Sequence, residues 1–357
     1  MAKKLRYALI GCGGCGVGKH LTAYAMYPDN VELYGVYDIL PAKATAAAEK
    51  YGVAHIFDTL DALLADPKID VVSIATPNAF HAPYAIAAVQ AGKHVHVEKP
   101  IALNAREAQA IVDAKNASGK KVMVALNNRF TESSQFARQY LQEGHLGEIY
   151  HARCGWRRRR GFPMHGSWFA DKAQSGGGPL IDLGVHFFDL TLFLMGFPAP
   201  ISVTASTYNK ISAPTKKDQS TAKALFGGAD LKGFSDVEDF AAGFVKLETG
   251  ASVAFEFSWA SNIAAEVNYF ELLGTRGGMS MYDGKLRIFA TAGGSLVDVA
   301  PLVQNTSGWG ENETRHFIAC INNDTPPLSP PEDAVKMMRI IDAIYASSAS
   351  GHEVVTG

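Results

Sequence analysis

The stretch ALIGCGGCGVGKH, residues 8–20, limits what this chain can fold into more than any other. It holds two motifs at once. Cys12-x-x-Cys15 is the spacing of a redox pair or of half a zinc site, and Gly11-x-Gly13-x-x-Gly16 is the spacing of a loop that receives phosphates. Before it, LRYALIG is short and apolar, as a strand would be. After it, KHLTAYAMYP carries Leu21, Tyr24 and Ala25 at helical spacing and closes on Pro28. VELYGVYD then alternates as a second strand and ends in Asp38. In such a unit Gly11 permits the tight turn, Gly13 lets backbone approach a pyrophosphate, and Gly16 lets the helix close on the sheet. The helix N-terminus adds free N–H groups and a partial positive charge. Asp38 is placed to accept both ribose hydroxyls of an adenosine and to repel a 2′-phosphate. Ile39 and Leu40 follow it without an arginine, so NAD is expected over NADP.

The cysteine motif loses against this context. The chain has four cysteines, and Cys154 and Cys320 have no Cys or His at a short offset to complete a zinc site. Cys12 and Cys15 stand among five glycines, a loop built for close backbone approach. They are expected to be small filler that binds no metal.

The chain's 357 residues exceed one compact core, and 47% apolar against 19% charged residues is an ordinary globular profile. A net charge of −2 gives no electrostatic reason to expect nucleic acid or an anionic membrane as partner. The apolar N-terminal stretch is broken by Arg6 and Gly11, too early for a signal peptide, and no segment is expected to reach transmembrane length. A cytoplasmic protein is the expectation. The α/β alternation continues through strands at 70–77, 94–100 and 120–126 and helices at 81–92 and 104–119, the last opened by Asn104 with Glu107 three residues on. Residues 1–126 thus read as a dinucleotide-binding domain of Rossmann type. Beyond 126 come a helix, a long strand over 147–160 and strand candidates at 201–208, 239–247, 251–259, 267–274, 285–290 and 296–303. The fold class predicted is α/β. Residues 127–357 form a second domain, an open and mostly antiparallel sheet with helices on one face. The polar stretch 209–235 reads as a surface excursion.

Within the second domain, SGGGPLIDLGVHFFDLTLFLMG (175–196) opens on three glycines and a proline and is apolar nearly all round, so it is a buried helix. It nevertheless carries Asp182, His186 and Asp189. Asp182 and His186 are four apart and share a face, and a carboxylate that orients an imidazole is the arrangement of a general base. A satisfied core pair is the competing reading of the same residues.

Together the glycine loop, ATPNAFH (75–81), VEKPIA (97–102), NNRF (127–130) and GGGPLIDLGVHFFD (176–189) resemble the Gfo/Idh/MocA oxidoreductase family over essentially the whole chain. The resemblance implies an N-terminal Rossmann domain and a C-terminal sheet domain that often forms the oligomer interface. It implies Lys99 as the catalytic lysine, Asp182 and His186 as its second-domain partners, and Thr76, Pro77, Asn78, His81 and Glu98 along the cofactor. The chain departs from many members in one place: His20 lies four residues after Gly16 rather than three. Arg129 of NNRF, with Trp156, Arg157 and Trp168, and with Phe162 and His165 nearby, are candidate substrate contacts. The run Arg157–Arg160 also has a simpler reading as arginines on a sheet face, since strand neighbours point to opposite sides.

Three functions are compatible with these residues. The first is an NAD-dependent dehydrogenase acting on a secondary hydroxyl of a sugar or cyclitol, working as a homo-oligomer. The second is a glycoside-cleaving enzyme that oxidises its substrate transiently. The third, a silent NAD-binding regulator, is disfavoured because Lys99, Asp182 and His186 are all present.

Overall fold

The computed structural model describes residues 4–161, 167–211, 235–303, 307–308 and 310–356. The chain divides into two units: residues 1–130 with 306–335, and residues 131–305 with 336–357. The return of 306–335 to the first unit has no local signal in the sequence and was not expected.

In the first unit, β1 (Leu5–Ile10), β2 (Val31–Tyr37), β3 (His55–Ile56), β4 (Val71–Ile74), β5 (His94–Glu98) and β6 (Val122–Ala125) form one sheet in the order β3-β2-β1-β4-β5-β6, parallel throughout. That order, reversing beside β1, places loops at the carboxyl ends of β1 and β4 where such sheets take their ligands. β4 is buried along its whole length, and β1 and β5 nearly so, as expected of strands covered on both faces. Helix Ala105–Ser118 begins as its sequence predicts: the Asn104 side chain accepts from the Glu107 N–H at 3.0 Å, and Glu107 accepts from the Leu103 N–H at 3.2 Å. Helix Glu311–Asn322 brings Phe317 and Glu313 into the buried interior of this unit.

The second unit holds β7 (Ile149–Arg157), β8 (Pro200–Tyr208), β9 (Phe240–Leu247), β10 (Ser252–Ser258), β11 (Val267–Gly274), β12 (Gly278–Tyr282), β13 (Lys285–Ala292), β14 (Ser295–Val299) and β15 (Val354–Val355). They form a nine-stranded sheet in the order β14-β13-β12-β11-β7-β10-β9-β8-β15, antiparallel except where β10 runs parallel to β7. Val253, Phe255 and Phe257 of β10 alternate onto the covered face, where Phe188 packs on Phe255 and Phe257. The run Lys172–Leu194 is, contrary to expectation, long and apolar enough by composition to span a membrane, but 89% of its most apolar window is buried inside the protein. Most of the 209–235 excursion lies outside the described residues.

Candidate active site

The glycine loop follows β1, and its glycines divide by what surrounds them. Gly11 has φ +97°, and a Cβ on it would stand 2.6 Å from the Ala75 carbonyl oxygen. A Cβ on Gly16 would stand 1.9 Å from the Gly11 carbonyl oxygen, so both positions need glycine for the loop to close. Gly13, Gly14 and Gly18 instead face open space, with nothing within 4 Å of a Cβ. That clearance is what a bound pyrophosphate requires.

At the end of β2, both oxygens of Asp38 are fixed by backbone. One accepts from the Cys12 N–H at 2.7 Å and the other from the Leu40 N–H at 2.8 Å. The carboxylate is therefore tied to the glycine loop and held in one orientation, while Ile39 beside it is exposed. These residues fit a dinucleotide. Asp38 would hold the adenosine ribose, and the open loop and the helix N-terminus would take the phosphates.

The helix after the loop opens as a π-helical turn, Gly16–Leu21, in which the Thr22 N–H reaches the Val17 carbonyl five residues back. A π turn holds one more residue than an α turn, so it absorbs the extra residue before His20. His20 is consequently buried, with Nε2 2.8 Å from Glu98 Oε1. Lys19, its neighbour, is also buried and donates to the same oxygen at 2.8 Å. Burial alone would raise the Glu98 carboxyl, but Lys19 and then His20 hold it well below the usual carboxylate range. Burial would lower the Lys19 ammonium, but Glu313 and then Glu98 outweigh it and raise it above an ordinary lysine.

Two residues expected along the cofactor are buried supports. Glu98 is 6% exposed, and besides Lys19 and His20 it accepts the Lys99 backbone N–H at 3.2 Å. His81 is 1% exposed, with Nδ1 2.6 Å from the Pro100 carbonyl and Nε2 2.9 Å from the Thr76 carbonyl. Burial lowers its pKa, against the pull of the two carbonyls, and the ring sits between the Thr76 loop and the turn after Lys99. Asn78 is buried at the start of a short 3₁₀ turn, whereas Thr76, Pro77 and Lys99 are half-buried. Cys15, His20 and Glu98 bring ligand atoms within 4.8 Å of one another, close enough to hold a metal. The positive charge at Glu98 is already supplied by the Lys19 ammonium.

In the second unit, Asp182 lies on a π-helical turn, Leu180–Gly184, that runs into helix Val185–Leu194 with His186 in its first turn. The Trp259 indole N–H donates to Asp182 Oδ2 at 2.9 Å, and Trp259 is wholly buried. His186 lies against Trp156, ring centres 6.0 Å apart. Both ionisable groups are half-buried on an otherwise sealed helix. The glycines before this helix answer to close approach. A Cβ on Gly177 would stand 1.8 Å from the Tyr345 hydroxyl, and one on Gly178 would stand 2.0 Å from the Glu238 carbonyl oxygen. Glu238 Oε1 accepts the Leu180 N–H at 3.2 Å and the Tyr345 hydroxyl at 3.0 Å. A buried carboxyl thus caps the helix that carries the candidate base, though burial raises its pKa.

Two of the candidate substrate contacts are corrected. Arg129 is fully buried and donates to the Leu328 carbonyl at 2.7 Å and Asp333 Oδ2 at 2.9 Å, so it ties the returning segment into the first unit. Arg157 points away from His186 because β7 alternates: Trp156 faces the helix, and Arg157 pairs with Glu256 at 3.3 Å on the opposite face. Arg158 lies over the Trp156 ring at 4.7 Å, so the arginine run splits between faces. Trp168 stacks on Phe169, and Phe162 and His165 lie outside the described residues. Lys19, Glu313, Trp259, Glu238 and Tyr345 were not singled out from the sequence. Only Lys19, a charged residue entering an otherwise apolar helix, left a local signal.

Residues 5–126 match the family described as "Oxidoreductase family, NAD-binding Rossmann fold", and residues 134–280 match its GFO/IDH/MocA C-terminal domain. The D-glucoside 3-dehydrogenase of Escherichia coli K12 is 32% identical over 98% of this chain and 97% of its own length. The chain belongs to the GFO/IDH/MocA oxidoreductase family. Another member, the scyllo-inositol 2-dehydrogenase (NAD(+)) of Bacillus subtilis, is 26% identical over 99% of this chain and 97% of its own. The family resemblance extends to solved structures. A levoglucosan dehydrogenase in complex with NADH and L-sorbose superposes with a TM-score of 0.87 at 27% identity, covering 99% of each chain. As a family member the chain is an oxidoreductase whose first unit is an NAD-binding Rossmann domain.

Proposed function

We propose that this oxidoreductase transfers a hydride between a ring secondary hydroxyl of a sugar or cyclitol and NAD. The observation that carries the reading is on the Leu180–Leu194 helix. A carboxylate held by a buried indole and an imidazole four residues on are both half-buried, on a helix whose other polar side chains, Asp189 and Thr191, are sealed inside. The named relatives act on sugars and an inositol, which supports the substrate class. Bound NAD supplies the hydride acceptor. Oxidation of a CH–OH group then needs a base for the hydroxyl proton and a donor for the oxygen that becomes a carbonyl. His186 takes the proton at one ring nitrogen. Asp182, fixed by Trp259, orients the substrate and the imidazolium that forms. Lys99, half-buried after Glu98, donates to the reacting oxygen.

A homo-oligomer formed through the second unit's sheet belongs to the same reading. One sheet face is covered by helix, and the other exposes Phe244, Leu273, Tyr282 and Phe289 beside the Arg153–Glu271 and Arg157–Glu256 pairs. Light scattering after gel filtration tests it, and a monomer at micromolar concentration refutes it. We place the enzyme in the cytoplasm, where NAD is available. The activity is tested by incubating sugars, glycosides and cyclitols with NAD while measuring NADH and any freed leaving group in one reaction. NADH equal to substrate consumed supports the proposal. A leaving group released with no net NADH would overturn it in favour of glycoside cleavage.

A further inference from the structure

We propose that Glu313 is a positioning residue for Lys99, acting through Lys19 and Glu98; the inference rests on the role given to Lys99 above. Glu313 comes from helix Glu311–Asn322, nearly three hundred residues from the glycine loop, yet its carboxylate is buried against Lys19, with Nζ to Oε1 at 2.7 Å. Lys19 Nζ also contacts Glu98 Oε1 at 2.8 Å, and Glu98 Oε2 accepts the Lys99 backbone N–H. Four residues thus form a chain in which each link is at bonding distance and the last is the candidate catalytic lysine. Lys19 and Glu313 are 2% and 1% exposed.

Stability is a poor explanation for such a cluster. Buried ion pairs are often matched or bettered by apolar residues of the same volume, because desolvation costs about as much as the attraction returns. What a second carboxylate adds is geometry. With Glu98 alone, the Lys19 ammonium could approach the carboxylate from several directions. With Glu313 on its other side it is held between two oxygens, and Glu98 is aimed at the Lys99 N–H. Gly310 closes the arrangement, since a Cβ there would stand 2.7 Å from Lys19 Cγ. The two carboxyls are driven apart in acidity. Glu98, which has His20 as a second donor, is held well below the usual range, while burial raises Glu313 over the pull of Lys19. Glu313 thus places an oxygen 2.7 Å from the Lys19 ammonium.

The experiment compares Glu313→Met, which removes the acceptor, with Glu313→Gln, which keeps a carbonyl oxygen, in the full chain. Backbone hydrogen exchange is read with NAD bound. In Glu313→Met the peptide spanning Lys99 should exchange at least about tenfold faster, while helix Pro41–Tyr51 in the same unit keeps its rate. With a sugar substrate, kcat should fall roughly 10–100-fold. The primary deuterium isotope effect should rise and KM for NAD should stay unchanged. Glu313→Gln should restore both exchange and turnover to near wild type. Exchange that speeds up equally across the first unit would make Glu313 a fold anchor only and overturn the proposal, as would unchanged exchange at Lys99. If exchange at Lys99 rises but the wild-type enzyme oxidises no sugar or cyclitol, the positioning stands and the functional reading falls. Should Glu313→Met not fold, Lys19→Gln, a donor too short to reach both carboxylates, carries the same forecast.

Discussion

Replacing Trp259 with Phe removes one hydrogen and one ring from a wholly buried position and leaves Asp182 without its indole donor. A hydrogen bond to a charged acceptor contributes about 1.5–3 kcal/mol. Asp182 is half-buried, so water can partly replace the donor, which favours the lower end of that range. The smaller ring leaves a void that adds about 1 kcal/mol. The expected loss is about 2.5 kcal/mol. For a unit of this size that lowers Tm by about 5–10 °C. If the indole also fixes Asp182 for catalysis, kcat falls roughly tenfold or more, since about 1.4 kcal/mol of transition-state stabilisation is one decade in rate. Phe257→Leu is the control: it opens a void in the same core, against Phe188, without touching a polar bond. Thermal unfolding and steady-state kinetics with NAD are measured on both variants. The reasoning fails if Trp259→Phe and Phe257→Leu lose the same turnover, because packing alone would then account for the loss.

Three further outcomes are expected. Asp38→Ala should weaken NAD binding by calorimetry and narrow its margin over NADP; an unmodified protein that prefers NADP would contradict the role of that carboxylate. Gly13→Ala, which meets nothing within 4 Å, should leave the apo Tm within about 1 °C while weakening NAD binding. Gly178→Ala, which would press on a backbone carbonyl, should cost about 1–3 kcal/mol or more, and equal unfolding temperatures for the two variants would refute the distinction. Burial, and then Asp38, push the Cys12 thiol up to about 12, and burial with Glu98 raises Cys15 as well, so both stay protonated at pH 8. Iodoacetamide should therefore label them far more slowly in the native protein than in urea, and fast native labelling would show a thiolate.

The parts of this molecule that were legible in the sequence are those written in local patterns. The glycine spacing, the acid ending β2, the Asn104 cap and the apolar helix with Asp182 and His186 each follow from a few neighbouring residues. Strands β3 and β15 are too short to show a period. The supports of the site were hidden for a different reason. Trp259, Glu238, Tyr345 and Glu313 reach their partners across 77, 58, 107 and about 300 residues, and no window along the chain contains both members. Arg129 was misread because an arginine in a motif suggests a ligand, whereas its partners Leu328 and Asp333 arrive about two hundred residues later. Arg157 was misplaced although period two predicts its face, because the run of four arginines obscured which of them shares the side of Trp156.

The return of residues 306–335 to the first unit has a consequence for how the protein is made. At roughly 5–20 residues per second, the ribosome needs on the order of 10–40 s after residue 130 to deliver this segment. During that interval Lys19 and Glu98 lack Glu313, and the surface later covered by Phe317 is bare. The dinucleotide-binding half is thus begun first and finished nearly last. A nascent chain stalled before residue 311 should present a sticky, chaperone-seeking fold, and a gene cut at the apparent domain boundary should yield the same unfinished product.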